Sequence, residues 1–299
     1  MSRRQQIVAV LAVLLIAASA VTIVAQRRAP VISAETTPEA TLAVPVEITA
    51  EFTPELTPEL TLEPVDVNGV QVIAGRMSFT LPITVANSFE VAQTTADLPG
   101  QPDIPPVAHI GFVDYLPDAR PEFIHTFTAE AGVRVYNVVD LKEARATDPA
   151  FADAADQLAA LIESRNALSA EATLPFLPQG EYSPVLHARE QYVQLRGGTG
   201  ILYLAAFAEP KAPLIEGDIA LVFQGLSDDG ILYVSAVFPL DTNYLPATPP
   251  DNLDMAAFEA GYDLYVQSIR AALNEFQPTS SGPRLNDLYA LIASMAIAP

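Results

Sequence analysis

The chain has 299 residues, of which 36 are acidic and 15 basic, no cysteine, and a formal net charge of −21. A surface this acidic repels the phosphates of nucleic acids, so no nucleic-acid partner is expected. The absence of cysteine excludes disulfides, thiolate metal sites, a cysteine nucleophile and a lipid-modified N-terminal cysteine.

Residues 1–29 are predicted to form an N-terminal transmembrane anchor or a signal. An uncharged run from Ile7 to Ala25 lies between two arginine pairs. As a helix this run spans about 28 Å, close to the ~30 Å hydrocarbon core of a bilayer, whereas the apolar part of a cleaved signal peptide usually has about 7–15 residues. The length therefore favours a retained single-span anchor over cleavage at the small-residue pattern Ala18-Ser19-Ala20.

Residues 30–66 are predicted to be a disordered linker rich in proline, threonine and glutamate. They contain eight acids and no base, and Thr-Pro-Glu recurs from Thr37, Thr53 and Thr57, with "TPEL" directly duplicated. Frequent prolines prevent helix and sheet ladders, and like charges keep the chain extended. The linker is either a stalk that clears the envelope surface or an unselective tether.

An anchor followed by an acidic linker and one large domain is typical of an exported layout. The domain is therefore predicted to lie outside the cytoplasm, held at the cell membrane by a single span. If the N-terminal segment is cleaved as a signal, the mature protein is secreted instead.

Residues 67–299 are predicted to form one extracytoplasmic α+β domain. Its first β-like runs, Val70–Ile73 and Met77–Val85, are either an appendage to the core or its first strands. The segments "HIGFVDYL" (109–116) and "GVRVYNVVDL" (132–141) are rich in β-branched and aromatic residues, which predicts two strands.

The segment "TDPAFADAADQLAALIESR" predicts an amphipathic helix. Asp148 is a favourable N-cap residue, and Pro149 suits the first helical position. Apolar residues then recur at helical spacing on one face, from Phe151 through Leu158 to Ile162. Such a helix is expected to cover a sheet.

Two β-hairpins are predicted next, in "REQYVQLRGGTGILYLAAFAE" and "IALVFQGLSDDGILYVSAVFPL". The glycines of "RGGTG" fit either a phosphate-binding loop or a tight turn between strands. A phosphate loop needs a helix directly behind it, and a P-loop also needs a lysine and a hydroxyl. The residues after Gly200 are Ile-Leu-Tyr-Leu, which indicate a strand, so a hairpin turn and no nucleotide site are predicted.

The C-terminal quarter is predicted to be helical. Apolar residues recur three and four positions apart from Met255 to Phe276, which indicates one helix of about seven turns. Its apolar stripe is expected to lie across a sheet, with a partner-binding face as the alternative. A last short helix is predicted after Pro283. The predicted fold is thus an antiparallel sheet built from hairpins, with covering helices.

Part of the domain resembles a family of uncharacterised exported bacterial proteins, many of them lipoproteins. The matching residues are "LPFLP" at 174–178, the aromatic strand and glycine turn at 192–200, and "FQGLSDDGILYVSAVFP" at 223–239, with a looser likeness over 109–164. The resemblance implies an envelope-exposed α+β domain and no transferable catalytic residue. The chain lacks the lipid-accepting cysteine, for which a transmembrane anchor would substitute. The order of elements is also similar to PsbP/Mog1-like domains.

Residue types that bind metals are scattered along the chain. The histidines lie on separate predicted segments, although metal ligands on one element are usually closely spaced: His109, His125 and His187. The acids of "VDYLPDARPEF" match no calcium loop and are predicted to form a solvated loop: Asp114, Asp118 and Glu122. Neither a metal site nor a cofactor is expected.

The evidence for catalysis is weak. His187 and Glu190 form an H-x-x-E pair, but residues three apart in a regular strand point to opposite faces. The chain contains no G-x-S-x-G elbow or S-x-x-K motif. Paired carboxylates of a glycosidase are recognised only by their distance in space, so an enzyme stays open as the less favoured class.

Three tyrosines are the candidate binding residues. Tyr192, Tyr203 and Tyr233 fall on the predicted hairpins, and aromatic side chains on a sheet face can form a binding surface. The alternative is cross-strand packing beneath a helix. The predicted function is a membrane-tethered domain that binds an envelope protein or an extracellular ligand. The alternatives are a secreted or anchored hydrolase, with a site assembled from scattered Asp, Glu, His and Ser, and a structural spacer module.

Overall fold

The computed structural model describes residues 59–60, 68–94, 105–115, 131–144, 148–169, 171–178, 183–242, 244–276 and 285–299. All of them belong to one unit, Pro54–Pro299. The predicted N-terminal anchor and most of the predicted linker lie outside the described residues. No helix in the described ranges has the length and hydropathy of a membrane span.

Strands and helices are mixed in an α+β arrangement, which confirms the predicted class. The strands are β1 (Glu59–Leu60), β2 (Gly69–Ala74), β3 (Met77–Pro82), β4 (Ser88–Thr94), β5 (Val107–Val113), β6 (Gly132–Asn137), β7 (Pro184–Leu195), β8 (Gly198–Phe207), β9 (Ile219–Ser227), β10 (Leu232–Pro239) and β11 (Ala296–Ile297). The helices are α1 (Val138–Glu143), α2 (Pro149–Ser164), α3 (Met255–Ala260), α4 (Tyr262–Glu275) and α5 (Leu285–Ala293), with a 3-10 turn at Glu216–Asp218.

The large sheet has the strand order β1-β7-β8-β9-β10-β6-β5-β4. All neighbours are antiparallel except β1, which runs parallel to β7. The two predicted hairpins, β7–β8 and β9–β10, lie side by side and supply its central strands. The antiparallel, hairpin-built sheet is therefore confirmed as well.

Strand β8 shows that both faces of this sheet are covered. Its ten residues are all buried. Leu202 and Leu204 belong to one apolar core, whereas Tyr203 and Phe207 belong to the other, as the two-residue period of a strand requires. Burial on both faces explains why β8 is apolar throughout instead of alternating.

The core that contains Tyr203 and Phe207 lies on the side that we call the α1–α2 face. Phe151, Ala155 and Leu158 of α2 pack there with Leu141 of α1 and with the "LPFLP" segment. Helix α2 begins as predicted, because Asp148 accepts a hydrogen bond from the Ala150 N–H at 3.0 Å.

The second core lies on the opposite side, which we call the α4–α5 face. A small antiparallel sheet, ordered β11-β3-β2, packs there with α5 and with part of α4. The first β-like runs therefore belong to a separate sheet that contributes Val72, Met77, Phe79 and Leu81 to this core.

The segment "GVRVYNVVDL" is predicted as one strand, and the last part of that prediction is wrong. Strand β6 ends at Asn137, and the next residues form α1. The Asn137 side chain accepts a hydrogen bond from the Val139 N–H at 2.8 Å, which caps the helix. β-branched residues favour strands only weakly, so one well-placed cap decides the outcome.

The "RGGTG" glycines form a hairpin turn and a close strand contact. Gly197 has φ of +82°, a left-handed conformation that favours glycine. Gly200 faces Gly225 on β9, and the Phe223 ring lies over both, since a Cβ at either position would come within 2.6 Å of it. Strand β8 continues past the turn with no helix, which confirms the hairpin and leaves no phosphate-binding geometry.

Candidate functional site

The three candidate tyrosines lie on the α1–α2 face of the large sheet, fully buried. Tyr192, Tyr203 and Tyr233 are 0%, 1% and 0% exposed. The Tyr203 hydroxyl donates to the Pro175 carbonyl oxygen at 3.0 Å, and the Tyr192 hydroxyl lies 2.9 Å from the Asn166 carbonyl oxygen. Their position is that of cross-strand packing beneath α2 and the "LPFLP" segment, and they present no ring to solvent.

A buried polar network fixes the "LPFLP" segment to the sheet. The Gln224 amide accepts from the Leu177 N–H at 3.1 Å and donates to the Leu177 carbonyl oxygen at 3.2 Å. It also accepts from the Tyr233 hydroxyl at 2.6 Å and donates to the Ser235 hydroxyl at 3.0 Å. Every polar atom of the Gln224 side chain is thus paired inside the core, so this network is structural.

His187 and Glu190 contact each other, and the prediction that they lie apart is wrong. Between Ala188 and Gln191, β7 has one residue more than β8 opposite it, which is a β-bulge. Arg189 in the bulge has φ of +58°. The extra residue reverses the alternation of the strand, so the His187 Nδ1 reaches the Glu190 carboxylate.

This histidine–glutamate pair is not arranged for nucleophilic catalysis. The second ring nitrogen, Nε2, lies 2.7 Å from the Ala172 carbonyl oxygen, which only accepts, so Nε2 carries a hydrogen. A general base that activates a serine needs that nitrogen free to accept. The pair instead links β7 to the segment that carries Ala172.

The bulge also positions α4. The Arg189 N–H donates to the Asn274 side chain at 2.8 Å, and the Arg270 guanidinium donates to the His187 carbonyl oxygen at 3.1 Å. Both α4 side chains belong to its second half, which contributes Ile269 and Leu273 to the core. The bulge therefore docks the distal half of α4 on β7.

Of the other sequence candidates, only His109 and Asp114 lie within the described residues. His125, Asp118 and Glu122 lie outside the described residues, His109 lies on β5, and Asp114 is exposed. Within the described ranges, no three His, Asp or Glu side chains form a group that could hold a metal ion.

Two acids that the sequence did not single out meet near the ends of β9 and β10. Glu216 and Asp241 are 2% and 5% exposed. The Glu216 carboxylate accepts from the backbone N–H groups of Thr242 and Leu245. Burial, and to a smaller extent the charge and hydrogen bond of the adjacent Asp241, raise the pKa of Glu216 to about 7 against the lowering effect of these donors. Near neutral pH, this pair holds a proton that the unfolded chain would release.

We expect Asp241→Asn to stabilise the protein at alkaline pH. A carboxyl whose pKa rises on folding binds extra protons in the native state, so the unfolding free energy falls as pH rises from about 4.5 to 7. An amide at residue 241 can replace the proton as donor to Glu216. Urea titrations at pH 5 and pH 8 should show that the alkaline loss of unfolding free energy shrinks by up to about 1 kcal/mol, since one pKa unit corresponds to about 1.4 kcal/mol and the variant keeps burial, the largest cause of the shift.

Two controls accompany this variant. Asp228→Asn removes an exposed turn charge and should leave the pH dependence as in the wild type. Glu216→Gln should flatten the pH dependence but destabilise the protein at every pH, because its NH₂ would face a backbone N–H. An unchanged pH dependence in Asp241→Asn would contradict the shared proton.

The predicted C-terminal helix carries a partly exposed apolar surface. Gly261 interrupts it between α3 and α4, and none of the six α3 residues is buried. The rings of Phe258, Tyr262 and Tyr265 lie with centroids 5.0–6.2 Å apart and pack on one another. Met255, one turn before Phe258, is 45% exposed. We call these four residues the aromatic ridge.

Acidic residues flank the aromatic ridge. Asp254 caps α3 through the Ala257 N–H, and Glu259 and Asp263 lie between ridge residues in the sequence. No lysine or arginine occurs from 251 to 269. The three rings are half-buried, and their accessible parts beside carboxylates attract cations through charge and through the negative face of the ring. The ridge can therefore bind a cationic, partly apolar group.

Comparisons of this chain with known proteins found no match. No family model, no curated protein and no solved structure matches it. The resemblance to exported bacterial proteins therefore remains a prediction.

Proposed function

We propose that this protein is a membrane-tethered, outward-facing binding domain that docks a basic, apolar segment of an envelope protein on the aromatic ridge. The proposal rests on one observation: the apolar stripe from Met255 to Phe276 is divided into two parts that differ in burial. Its distal part, at Ile269 and Leu273, is buried in the core, whereas the ridge continues the stripe beyond it. Apolar residues left partly accessible to solvent in this way support an interaction surface.

The acidic residues around the aromatic ridge indicate a partner of complementary, positive charge. Lysine or arginine side chains would meet the acids around α3, and apolar side chains would pack against Met255 and Phe258. Docking of this kind is the helix-in-groove mode of recognition with the charges placed at the rim. Tethering at the membrane, supported by the apolar run Ile7–Ala25, would keep the ridge among envelope proteins.

The hydrolase alternative receives less support. The His187–Glu190 pair is closed by the Ala172 carbonyl oxygen, and the tyrosines of the sheet are inside the core. The aromatic ridge, in contrast, offers half-buried rings and neighbouring carboxylates without a nucleophile. We therefore favour binding over catalysis.

A site-specific photo-crosslinker at residue 258 should capture one defined envelope protein in intact cells. The same crosslinker at Leu264, which is 72% exposed on α4, is the matched control and should capture little. Phe258→Ala with Tyr262→Ala should lower recovery of that protein at least tenfold, and 0.5 M salt should lower it too, because exposed charge pairs are screened. Since α3 has no buried residue, Phe258→Ala alone should change the melting temperature little, and it is measured beside the double variant because Tyr262 is a half-buried residue of α4.

Membrane attachment and the outward placement of the domain are tested in the same cells. The full-length chain should remain in the membrane fraction after carbonate extraction, and protease added to spheroplasts should digest the domain. Equal crosslinking from residues 258 and 264, or unchanged recovery in the double variant, would refute docking on the ridge. A protease-protected domain in intact spheroplasts would refute the outward placement.

A further inference from the structure

The outer edge of β7 already binds a piece of the predicted linker. Strand β1 pairs in parallel with it, with Glu59 opposite Tyr192 and Leu60 opposite Val193. The other edge of β7 is paired with β8. A short extended segment has thus been added to an open sheet edge through backbone hydrogen bonds, which is β-augmentation within one chain.

The docked strand is one copy of a direct duplication. Thr57–Leu60 and Thr53–Leu56 have the identical sequence Thr-Pro-Glu-Leu, and the two copies adjoin without a gap. Proline lacks an N–H and cannot extend the ladder backwards. In both copies the proline precedes the same Glu-Leu pair, so each copy offers the same two-residue strand.

We propose that the β7 edge at Tyr192 and Val193 is a docking site for the Thr-Pro-Glu-Leu unit, and that Thr53–Leu56 exchanges there with Thr57–Leu60. Exchange lengthens the connection to β2 from residues 61–68 to residues 57–68, that is from 8 to 12 residues. Loop-closure entropy disfavours the longer connection by only about twofold. The two registers are therefore comparably populated.

The exchange changes the reach of the linker. Four residues of extended chain correspond to about 13 Å, so the distance from the docked strand to the chain's N-terminal part alternates between two values. The inference is independent of the aromatic ridge and of its partner. It rests on the seated copy, on the identity of the second copy, and on the short connection to β2.

Hydrogen exchange of full-length protein in detergent micelles tests this inference. Replacing Thr57–Leu60 by Gly-Ser-Gly-Ser should leave those amides of residues 189–196 that face β1 protected within about threefold, since the first copy takes the site. Replacing Thr53–Leu56 alone should also leave them protected. Replacing both copies should raise their exchange rate at least tenfold, because the β7 edge then loses its strand.

Strand β8 supplies the folding control. Amides of residues 201–207 should stay protected in all three variants, which shows that the sheet is intact. Loss of protection at 189–196 when only Thr57–Leu60 is replaced would overturn the exchange. Retained protection after both replacements would overturn recognition of the unit. Protection that depends on protein concentration would assign the second copy to another molecule and also overturn exchange within one chain.

Discussion

Gln224→Leu should lower the free energy of unfolding by about 3–5 kcal/mol. Gln224 is fully buried, and its amide satisfies both backbone groups of Leu177 and the Tyr233 hydroxyl. Leucine fills a similar volume but leaves the Leu177 N–H and the Tyr233 hydroxyl unpaired in the core. Each buried group left without a partner costs about 1–3 kcal/mol.

The matched control for Gln224→Leu is Gln194→Leu. The Gln194 amide makes comparable hydrogen bonds, accepting from the Thr199 hydroxyl at 2.9 Å and donating to the Gly198 carbonyl oxygen at 3.0 Å, but it is exposed. Water can replace its partners, so the expected loss is below about 1 kcal/mol. Urea unfolding monitored by circular dichroism gives both values. Similar losses in the two variants would mean that the buried network contributes nothing beyond ordinary surface hydrogen bonds.

Gly200→Val should destabilise the protein by about 4 kcal/mol or more. A Cβ at this position would lie 2.4 Å from the Gln224 carbonyl oxygen and 2.6 Å from the Phe223 ring. Gly200 lies on β8 directly against β9, so the two central strands would have to separate. Overpacking a core costs about 1–3 kcal/mol even when the neighbours can shift. At Gly200 one of the two neighbours is the Gln224 backbone carbonyl, which cannot shift as a side chain can.

Since Gly200→Val can fail to fold, Gly200→Ala provides a measurable version, with an expected loss of about 3 kcal/mol. Gly75→Ala is the control: Gly75 has no atom within 4 Å of its would-be Cβ but has φ of +59°. Left-handed backbone alone costs about 1 kcal/mol. If thermal unfolding shows equal losses for the two alanine variants, the close contact at Gly200 is not the cause.

Local patterns predict the local elements. The hairpins are indicated by runs of β-branched and aromatic residues around glycine turns, and Asp148-Pro149 marks the start of α2 because both residues act within one helical turn. The strand after Gly200 is predictable for the same reason, since the few residues directly behind a turn show whether a strand or a helix begins there. These features depend on neighbours in sequence.

Features that depend on distant partners are not predictable in this way. The burial of Tyr203 depends on the "LPFLP" segment, and the contact of His187 with Glu190 depends on one inserted residue that reverses the strand alternation. The positive φ of Arg189 has no sequence signal, because arginine rarely adopts it. A bulge is visible only once the partner strand is known.

Only part of the candidate site can be predicted from the sequence. The stripe from Met255 to Phe276 predicts an apolar helical face, with packing and partner binding as alternatives. Packing describes the distal half, which is buried, whereas partner binding by the less buried aromatic ridge stays a prediction. Helical period alone cannot show where the underlying sheet ends. Strand β1 is missed because proline-rich, acidic composition masks a two-residue strand.

The position of β1 determines which part of the domain bears mechanical tension first. Any tension that arrives from the residues before β1 acts first on the two-residue pairing with β7 and only afterwards on the central strands. A two-residue pairing breaks at low force. It reforms quickly because β1 stays covalently connected close to β7. Under such tension the β1–β7 pairing is therefore the first to open, and the central strands bear the force only after it has opened.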